Sequence, residues 1–387
     1  MKISVLFVDD PNVFQEFKRS LRNEQEWKTF YAEGGNAALD ILAEQKIDIV
    51  VVDISMTGIG GAQLLKIVQE DYPRIIRMVI SDCTDQEQII KSTKLAHQFF
   101  AKPCDANLLI TAMEYAWLFR DLVNNESMKE LITGINALPS LPGVYLELLE
   151  YIQNPDASIK QIGNLVAQDI TMTAKILQLV NSAYFSLPQK VVDPSRAVAL
   201  LGIENLKAFI LAIHVFSTFD DTKISKSDID SLWQHSIQVG RLARDITMLE
   251  STGRTTLENA LTTGILHDIG KLVLLNAEGQ KPCGSLKDEY DALGTSHAEI
   301  GAYLLCLWGI PTSILIGVAY HHRPLESGED MFTTLTAVHV ADALLSNDPS
   351  DRSVIPGLDY SYLKAIGKID RLPLWISLYD DMRKESL

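Results

Sequence analysis

Over residues 1–122, short apolar runs alternate with amphipathic stretches, and this alternation leaves few folds open. The runs are "ISVLFV" (3–8), "KTFYA" (28–32), "DIVVVD" (48–53), "IIRMVIS" (75–81) and "QFFA" (98–101). Unbroken runs of this kind suit strands buried on both faces. Between them "NVFQEFKRSL", "AALDILAEQ", "GAQLLKIVQEDY" and "QEQIIKSTKLA" carry helical periodicity, the first with Val13, Phe14, Phe17 and Leu21 on one face. "NLLITAMEYAWLFRDLV" closes the series. Repeated strand–helix units predict an α/β domain over 1–122, with a doubly wound, five-stranded parallel sheet.

Beyond residue 122 the strand signal stops. "NNESMKE" is a polar joint and "ALPSLPG" (137–143) a proline-punctuated turn, so 123–136 reads as a helical linker. The helix before the joint carries Trp117, Leu118 and Leu122 past the expected domain end. Two readings stay open: it runs on through "ESMKELITGI", or it is a plain packing helix followed by a loose linker. Residues 137–387 read as a larger all-α domain. "FDDTKISKSD" divides it into candidate lobes 137–222 and 223–387.

The chain has 387 residues and a formal charge of −16. Such acidity disfavours a general nucleic-acid grip, which needs clustered Lys and Arg. Cys83, Cys104, Cys283 and Cys306 stand far apart, which fits reduced thiols in a cytoplasmic protein rather than a disulfide framework. "MKISVLFVDD" is too short in its apolar part for a signal peptide, and no apolar run approaches a membrane span of about 20 residues.

In open α/β sheets, ligands bind beyond the carboxyl ends of the strands. Here the first strand ends in Asp9 and Asp10, the third in Asp53, the fourth in Ser81, and the fifth runs into Lys102–Pro103. Converging carboxylates repel unless a cation joins them, and Mg²⁺ suits an all-oxygen site. A carboxylate so held, with a lysine and a hydroxyl beside it, can take a phosphoryl group as an acyl phosphate.

This set resembles the receiver domain of two-component response regulators. The resemblance implies Asp53 as phosphoacceptor, Asp9, Asp10 and Asp53 as the Mg²⁺ ligands, and Ser81 and Lys102 as contacts of the phosphoryl group. It also implies Phe99 as the switch aromatic and a cis bond at Lys102–Pro103. A cognate histidine kinase or phosphotransfer protein is the implied donor, and a homodimer through this domain the implied assembly. The implied switch reshapes the face made by the fourth helix, fifth strand and fifth helix. Thr57 and Gly60 depart from the family's frequent Pro and Asp in the loop after Asp53.

The helical part contains "LPSLPGVYLELLEYIQNP", "LVAQDITMTAKILQLVNSAYF" and "AVALLGIENLKAFIL", with Asn181 as a polar interruption. These stretches resemble the HDOD domain, an output module related to HD phosphohydrolases. Its later half carries His235, His267–Asp268, His297, His321–His322 and Asp342 on helical stretches that can converge. Imidazole and carboxylate suit Zn, Mn or Fe. Adjacent residues on a helix diverge by about 100°, so an ion would meet both His267 and Asp268 only at the flank between them.

The order resembles the HD-GYP phosphodiesterases, which cleave cyclic di-GMP, and Lys271 fits the lysine of their HD-x-GK stretch. The pattern breaks after His322, where Arg323-Pro324-Leu325-Glu326-Ser327-Gly328 replaces the Gly-Tyr-Pro loop. Pro324 should stop the helix near Arg323. The resulting expectation is a non-catalytic output domain that binds a downstream protein. A metal-dependent phosphohydrolase is the alternative.

Overall fold

The computed structural model describes residues 2–9, 27–54, 56, 59–81, 95–102, 105–135, 158–166, 193–203, 226–250, 254–276, 285–346 and 354–385, with single positions 151, 176, 180, 191, 206 and 210. Asp10, Thr57, Pro103 and Asn181 lie outside this set, as do the helix face at Val13–Leu21 and the fourth helix. The cis bond falls outside with Pro103. Phe99 lies in a described strand, but its side chain is outside the set. No helix among the described residues is long and apolar enough to cross a membrane.

The chain forms two compact units. One comprises Met1–Ser140, Ser285–Ser296 and Tyr303–Pro311; the other comprises Leu141–Gly284, His297–Ala302 and Thr312–Leu387. In the first, β1 (Ile3–Val8), β2 (Trp27–Ala32), β3 (Ile49–Asp53), β4 (Ile76–Ser81) and β5 (Gln98–Ala101) form a parallel sheet in the order β2-β1-β3-β4-β5. Every residue of β3 is buried, as an apolar run covered on both faces requires. Helices α1 (Gly35–Glu44) and α2 (Gly61–Asp71) turn Ala38, Leu42, Leu64, Leu65 and Val68 onto Val50, Val52 and Val79 of the sheet. The α/β architecture expected for this region is the one observed.

Helix α3 (Ala106–Leu122) is capped by the Asp105 carboxylate, which accepts from Asn107 N at 2.9 Å. It does not run on through the joint. Val123–Asn125 leave the helical conformation, and the Asn125 carboxamide accepts from Met128 N at 3.1 Å to start a separate helix, α4 (Glu126–Gly134). An asparagine that caps a new N-terminus competes with continuation of the old helix.

Nor is α4 loose. Arg74 pairs with Glu130 at 2.9 Å, and the Thr133 carbonyl accepts from His97 Nε2 at 3.0 Å. His97 Nδ1 accepts from Arg77 N at 2.9 Å, so the imidazole proton sits on Nε2. The fully buried Arg77 donates Nε to Leu95 O at 2.7 Å, and burial lowers its pKa to about 10. His97 is held well below the usual imidazole range, first by burial and then by the Arg77 guanidinium, against the pull of the Thr133 carbonyl.

That depression has a consequence for stability. Below its ordinary pKa of about 6.5 the unfolded histidine binds a proton that the folded one refuses. Stability of this unit is therefore full above that value and falls as pH drops below it. Urea unfolding between about pH 7 and pH 5 should show this slope, and His97→Gln should lessen it. Equal slopes in the two proteins would contradict the assignment.

Among the described residues of the second unit, the regular elements are all helices. It contains α5 (Ile159–Val166), α6 (Pro194–Leu201), α7 (Lys226–Leu249), α8 (Arg254–Leu266) and α9 (Ile269–Asn276). Helix α10 (Leu286–Leu293) lies in the first unit, while α11 (His297–Leu307) starts in the second and ends in the first. Then come α12 (Thr312–Tyr320), α13 (Thr334–Ser346), α14 (Tyr360–Ala365) and α15 (Leu372–Glu385). Val239, Leu242 and Ile246 of α7 meet Val338 and Ala341 of α13 and Tyr362, Trp375 and Tyr379 near the C-terminus. The buried Glu250 carboxylate anchors this end, accepting from Lys368 at 2.6 Å, Arg371 at 2.7 Å and Trp375 Nε1 at 3.1 Å.

Candidate functional sites

The carboxyl ends of the strands bring Asp9, Asp53, Ser81 and Lys102 to one edge. Asp53 is the last residue of β3 and Ser81 the last of β4, while Asp9 and Lys102 follow β1 and β5 directly. Asp9, Asp53 and Ser81 are all buried. The Lys102 ammonium donates to Asp9 Oδ2 at 3.0 Å and to Asp53 Oδ2 at 2.8 Å. Burial opposes its charge, but the Asp53 and Asp9 carboxylates outweigh burial and raise its pKa. Its backbone amide donates to Ser81 O at 2.8 Å, which ties the lysine to the end of β4. Gly61 opens α2 against the Asp53 backbone: a Cβ there would stand 2.5 Å from Asp53 O and 2.8 Å from Ile54 Cα.

In the helical unit, His235, His267, Asp268, His297, His321, His322 and Asp342 converge. Three overlapping sets of them have ligand atoms within 4.8 Å of one another: Asp268, His297, His321 and His322; His235, His267 and Asp268; and His267, His321 and Asp342. His267 and Asp268 do not sit within a continuous helix, as the apolar run predicted. They form the turn between α8 and α9. The break removes the helical divergence between neighbours: His267 Nε2 stands 3.3 Å from Asp268 Oδ2 and 3.7 Å from Asp342 Oδ1. Asp268 Oδ1 lies 3.1 Å from His297 Nε2 and 3.9 Å from His321 Nε2. His235 Nε2 is 3.1 Å from Asp342 Oδ1, and His322 Nε2 is 3.1 Å from His297 Nε2.

Close helix crossings make this convergence possible. A side chain on Gly264 would run into Gly240 N at 2.6 Å, so α7 and α8 meet backbone to backbone between His235 and His267. One on Gly270 would collide with the His297 carbonyl and with Gly301 N at 2.8 Å, which seats α9 on α11. One on Gly317 would stand 2.5 Å from Thr263 Cγ2, which fixes α12 on α8.

The imidazoles are oriented from behind. His267 Nδ1 donates to Gly264 O at 2.7 Å and His321 Nδ1 donates to Val318 O at 2.7 Å. Each Nε2 therefore faces the cluster. His267 Nε2, His321 Nε2 and Asp268 Oδ1 are buried there without a well-directed hydrogen bond, held by ion-pair approaches alone. Burying such groups unsatisfied is costly, and a ligand set with outward-anchored imidazoles is the arrangement that a cation relieves.

Charge is balanced by position. Burial works against charging His267, but Asp268 and Asp342 raise its pKa to about 10. Burial and the neighbouring His297 push His322 down to about 4. Against its own burial, Asp268 is held well below the carboxylate range by His267 and by Lys271, whose ammonium donates to Oδ2 at 2.6 Å.

The chain after His322 breaks as Pro324 predicted. Helix α12 ends at Tyr320, and Pro324–Ser327 form a 3-10 turn. Arg323 pairs with the buried Glu299 and, at 3.0 Å, with Glu326. Sequence reasoning did not single out Glu299 or His339. The signal for His339 was its place one helical turn before Asp342.

The family model for the response regulator receiver domain matches residues 5–114, and that for the HDOD domain matches residues 138–324. An uncharacterized protein of Treponema pallidum (strain Nichols) is 28% identical over 225 residues, which is 54% of this chain and 42% of the relative's own length. This chain thus spans under half of that relative. Sporulation initiation phosphotransferase F of Bacillus subtilis (strain 168) is 29% identical over 121 residues, 30% of this chain and 93% of that protein. Among solved structures, an HDOD domain protein with unknown function from Geobacter sulfurreducens shares the fold. Its TM-score is 0.50 at 22% identity, covering 72% of this chain and 96% of that one.

Proposed function

Because the chain belongs to the response regulators, with a receiver domain at residues 5–114 and an HDOD domain at residues 138–324, we propose that a histidine kinase or phosphotransfer protein phosphorylates Asp53 and that the added charge controls the HDOD domain. The observation that carries this reading is the Lys102 ammonium shared between Asp9 and Asp53. It supplies the positive charge an acyl phosphate needs at that edge. Asp9, Asp10 and Asp53 are the residues that would hold Mg²⁺, which when bound neutralises phosphoryl oxygens.

The phosphoryl group draws the Ser81 hydroxyl toward it, and Phe99 packs behind the displaced hydroxyl. The face of the fourth helix, β5 and α3 then changes shape and dimerises or docks on the HDOD domain. Leu108 and Leu118 of α3, 59% and 53% exposed, are apolar surface available to that exchange.

The HDOD domain is read as a regulatory output that holds a transition metal, Zn, Mn or Fe, and binds a downstream protein. Its buried imidazole nitrogens and carboxylate oxygen, without well-directed hydrogen bonds, fit such an ion. His235, His267, Asp268, His297, His321, His322 and Asp342 are the residues that would hold it. Bound there, a metal supplies Lewis acidity. The 3-10 turn at Pro324–Ser327 stands where a Gly-Tyr-Pro loop would position a cyclic dinucleotide.

A second reading, phosphodiester hydrolysis, is favoured by Lys271, a partly exposed ammonium on Asp268 that can meet a phosphate. Elemental analysis of the purified chain, with a cyclic di-GMP hydrolysis assay and a pull-down using the beryllofluoride-treated protein, separates the two. Bound metal with background hydrolysis and a recovered protein supports the regulatory output. Turnover abolished by His267→Ala establishes the second reading instead. A metal-free protein contradicts the second reading and the metal assignment of the first.

A further inference from the structure

We propose that His339 is the positioning residue that locks together the two halves of the histidine–aspartate cluster, and that the chain beyond the HDOD match is part of the cluster's support. His339 lies on α13 three residues before Asp342, so the two share a face of one helix. Its Nδ1 donates to the backbone carbonyl of His321 at 2.6 Å. One side chain thus fastens the helix that bears Asp342 to the turn that bears His321 and His322.

The direction of that bond is set from the other side. The Asp359 amide donates to His339 Nε2 at 2.8 Å, so Nε2 is an acceptor and the single proton sits on Nδ1. Asp359 is itself fixed, because its carboxylate caps α14 by accepting from Tyr362 N at 2.9 Å. Tyr362 in turn stands edge-on to the His339 ring, centroids 6.2 Å apart, and its hydroxyl meets Thr336 Oγ1 at 2.8 Å. Asp359 and Tyr362 therefore brace the His321 carbonyl through one imidazole, although the HDOD match stops at residue 324.

His339 is buried, 1% exposed, and both ring nitrogens are used. It has no free nitrogen to offer an ion, which separates it from the ligand histidines and defines its role as support. Outer partners that orient ligands weaken metal affinity about 10–100-fold when lost.

The test rests on the proposed reading that the cluster holds metal, and it measures Mn²⁺ and Zn²⁺ affinity of the full chain by titration, with thermal unfolding alongside. In His339→Asn the shorter carboxamide can stand where Nδ1 stood and donate to His321 O while losing the Asp359 amide, so affinity drops by less than about tenfold. In His339→Gln the group reaches the Nε2 position instead and loses that bond, and affinity drops at least about tenfold. His339→Leu drops as far as Gln. Asn and Gln losing affinity equally would overturn the inference, as would undiminished affinity in a folded Leu variant. If Leu fails to fold, the Asn–Gln difference still decides. Wild-type protein that takes up neither ion overturns the reading of the cluster and this inference with it. Metal in wild type and equally in every variant overturns only this one.

Discussion

Asp53→Asn abolishes labelling by acetyl phosphate or beryllofluoride, and Lys102→Met slows it by about 10²–10³-fold, the usual loss when one preorganised donor to a developing anion is removed. The first effect is complete because the carboxylate oxygen is the nucleophile in the proposed reaction, and a carboxamide cannot form the acyl phosphate. The second follows from geometry. Lys102 Nζ stands 2.8 Å from Asp53 Oδ2 and 3.0 Å from Asp9 Oδ2, in a site where both aspartates are buried. Without the ammonium, negative charge arriving on the phosphoryl oxygens meets two buried carboxylates with one compensating cation fewer. Intact-mass spectrometry after timed exposure to acetyl phosphate, with and without Mg²⁺, reads both outcomes. Undiminished labelling of Asp53→Asn places the phosphoacceptor elsewhere, and a Lys102→Met rate equal to wild type removes the lysine from the reaction.

How far the sequence announces these sites differs between the two units. Asp9, Asp53, Ser81 and Lys102 are legible because a parallel strand has a simple rule. Its carboxyl end is where the apolar run stops, and all strands of the sheet point the same way. The five runs quoted from the sequence coincide with β1–β5 to within a residue or so at each end. The helical cluster is legible in membership but not in geometry. Histidine order placed seven residues in one group, yet periodicity alone drew a continuous helix through His267 and Asp268.

Apolar spacing continues on both sides of that turn, with Leu261, Ile265 and Leu266 before it and Ile269, Leu272 and Val273 after it, all buried. A pattern that tracks burial does not see a break whose flanks are equally buried. Likewise the end of α3 at Leu122 depends on a single capping carboxamide, Asn125, within a polar stretch that periodicity treats as neutral. His339 escaped notice because its function is exercised through backbone groups, the His321 carbonyl and the Asp359 amide, which carry no sequence signature.

Gly270→Ala is expected to cost about 1–3 kcal/mol or more in stability and to remove metal uptake, although it adds one methyl group and touches no candidate ligand side chain. The added carbon falls against the His297 carbonyl, and the Gly301 amide nitrogen stands 2.8 Å away. Both obstacles are backbone, so no rotamer change relieves them, and α9 must lift away from α11. His297 leads α11 and the His267–Asp268 turn leads α9, so that lift widens the His297 Nε2–Asp268 Oδ1 approach, now 3.1 Å. Ligand sets fail on displacements of a few tenths of an ångström in several members at once. Gly134→Ala is the control: no atom lies within 4 Å of the added carbon, and the residue closes a helix, where alanine is tolerated. Unfolding midpoints and Mn²⁺ titration of both variants measure the difference. Wild-type affinity in a folded Gly270→Ala protein would mean that the α9–α11 contact does not set the spacing of the cluster. Loss in Gly270→Ala alone would tie the site to that crossing.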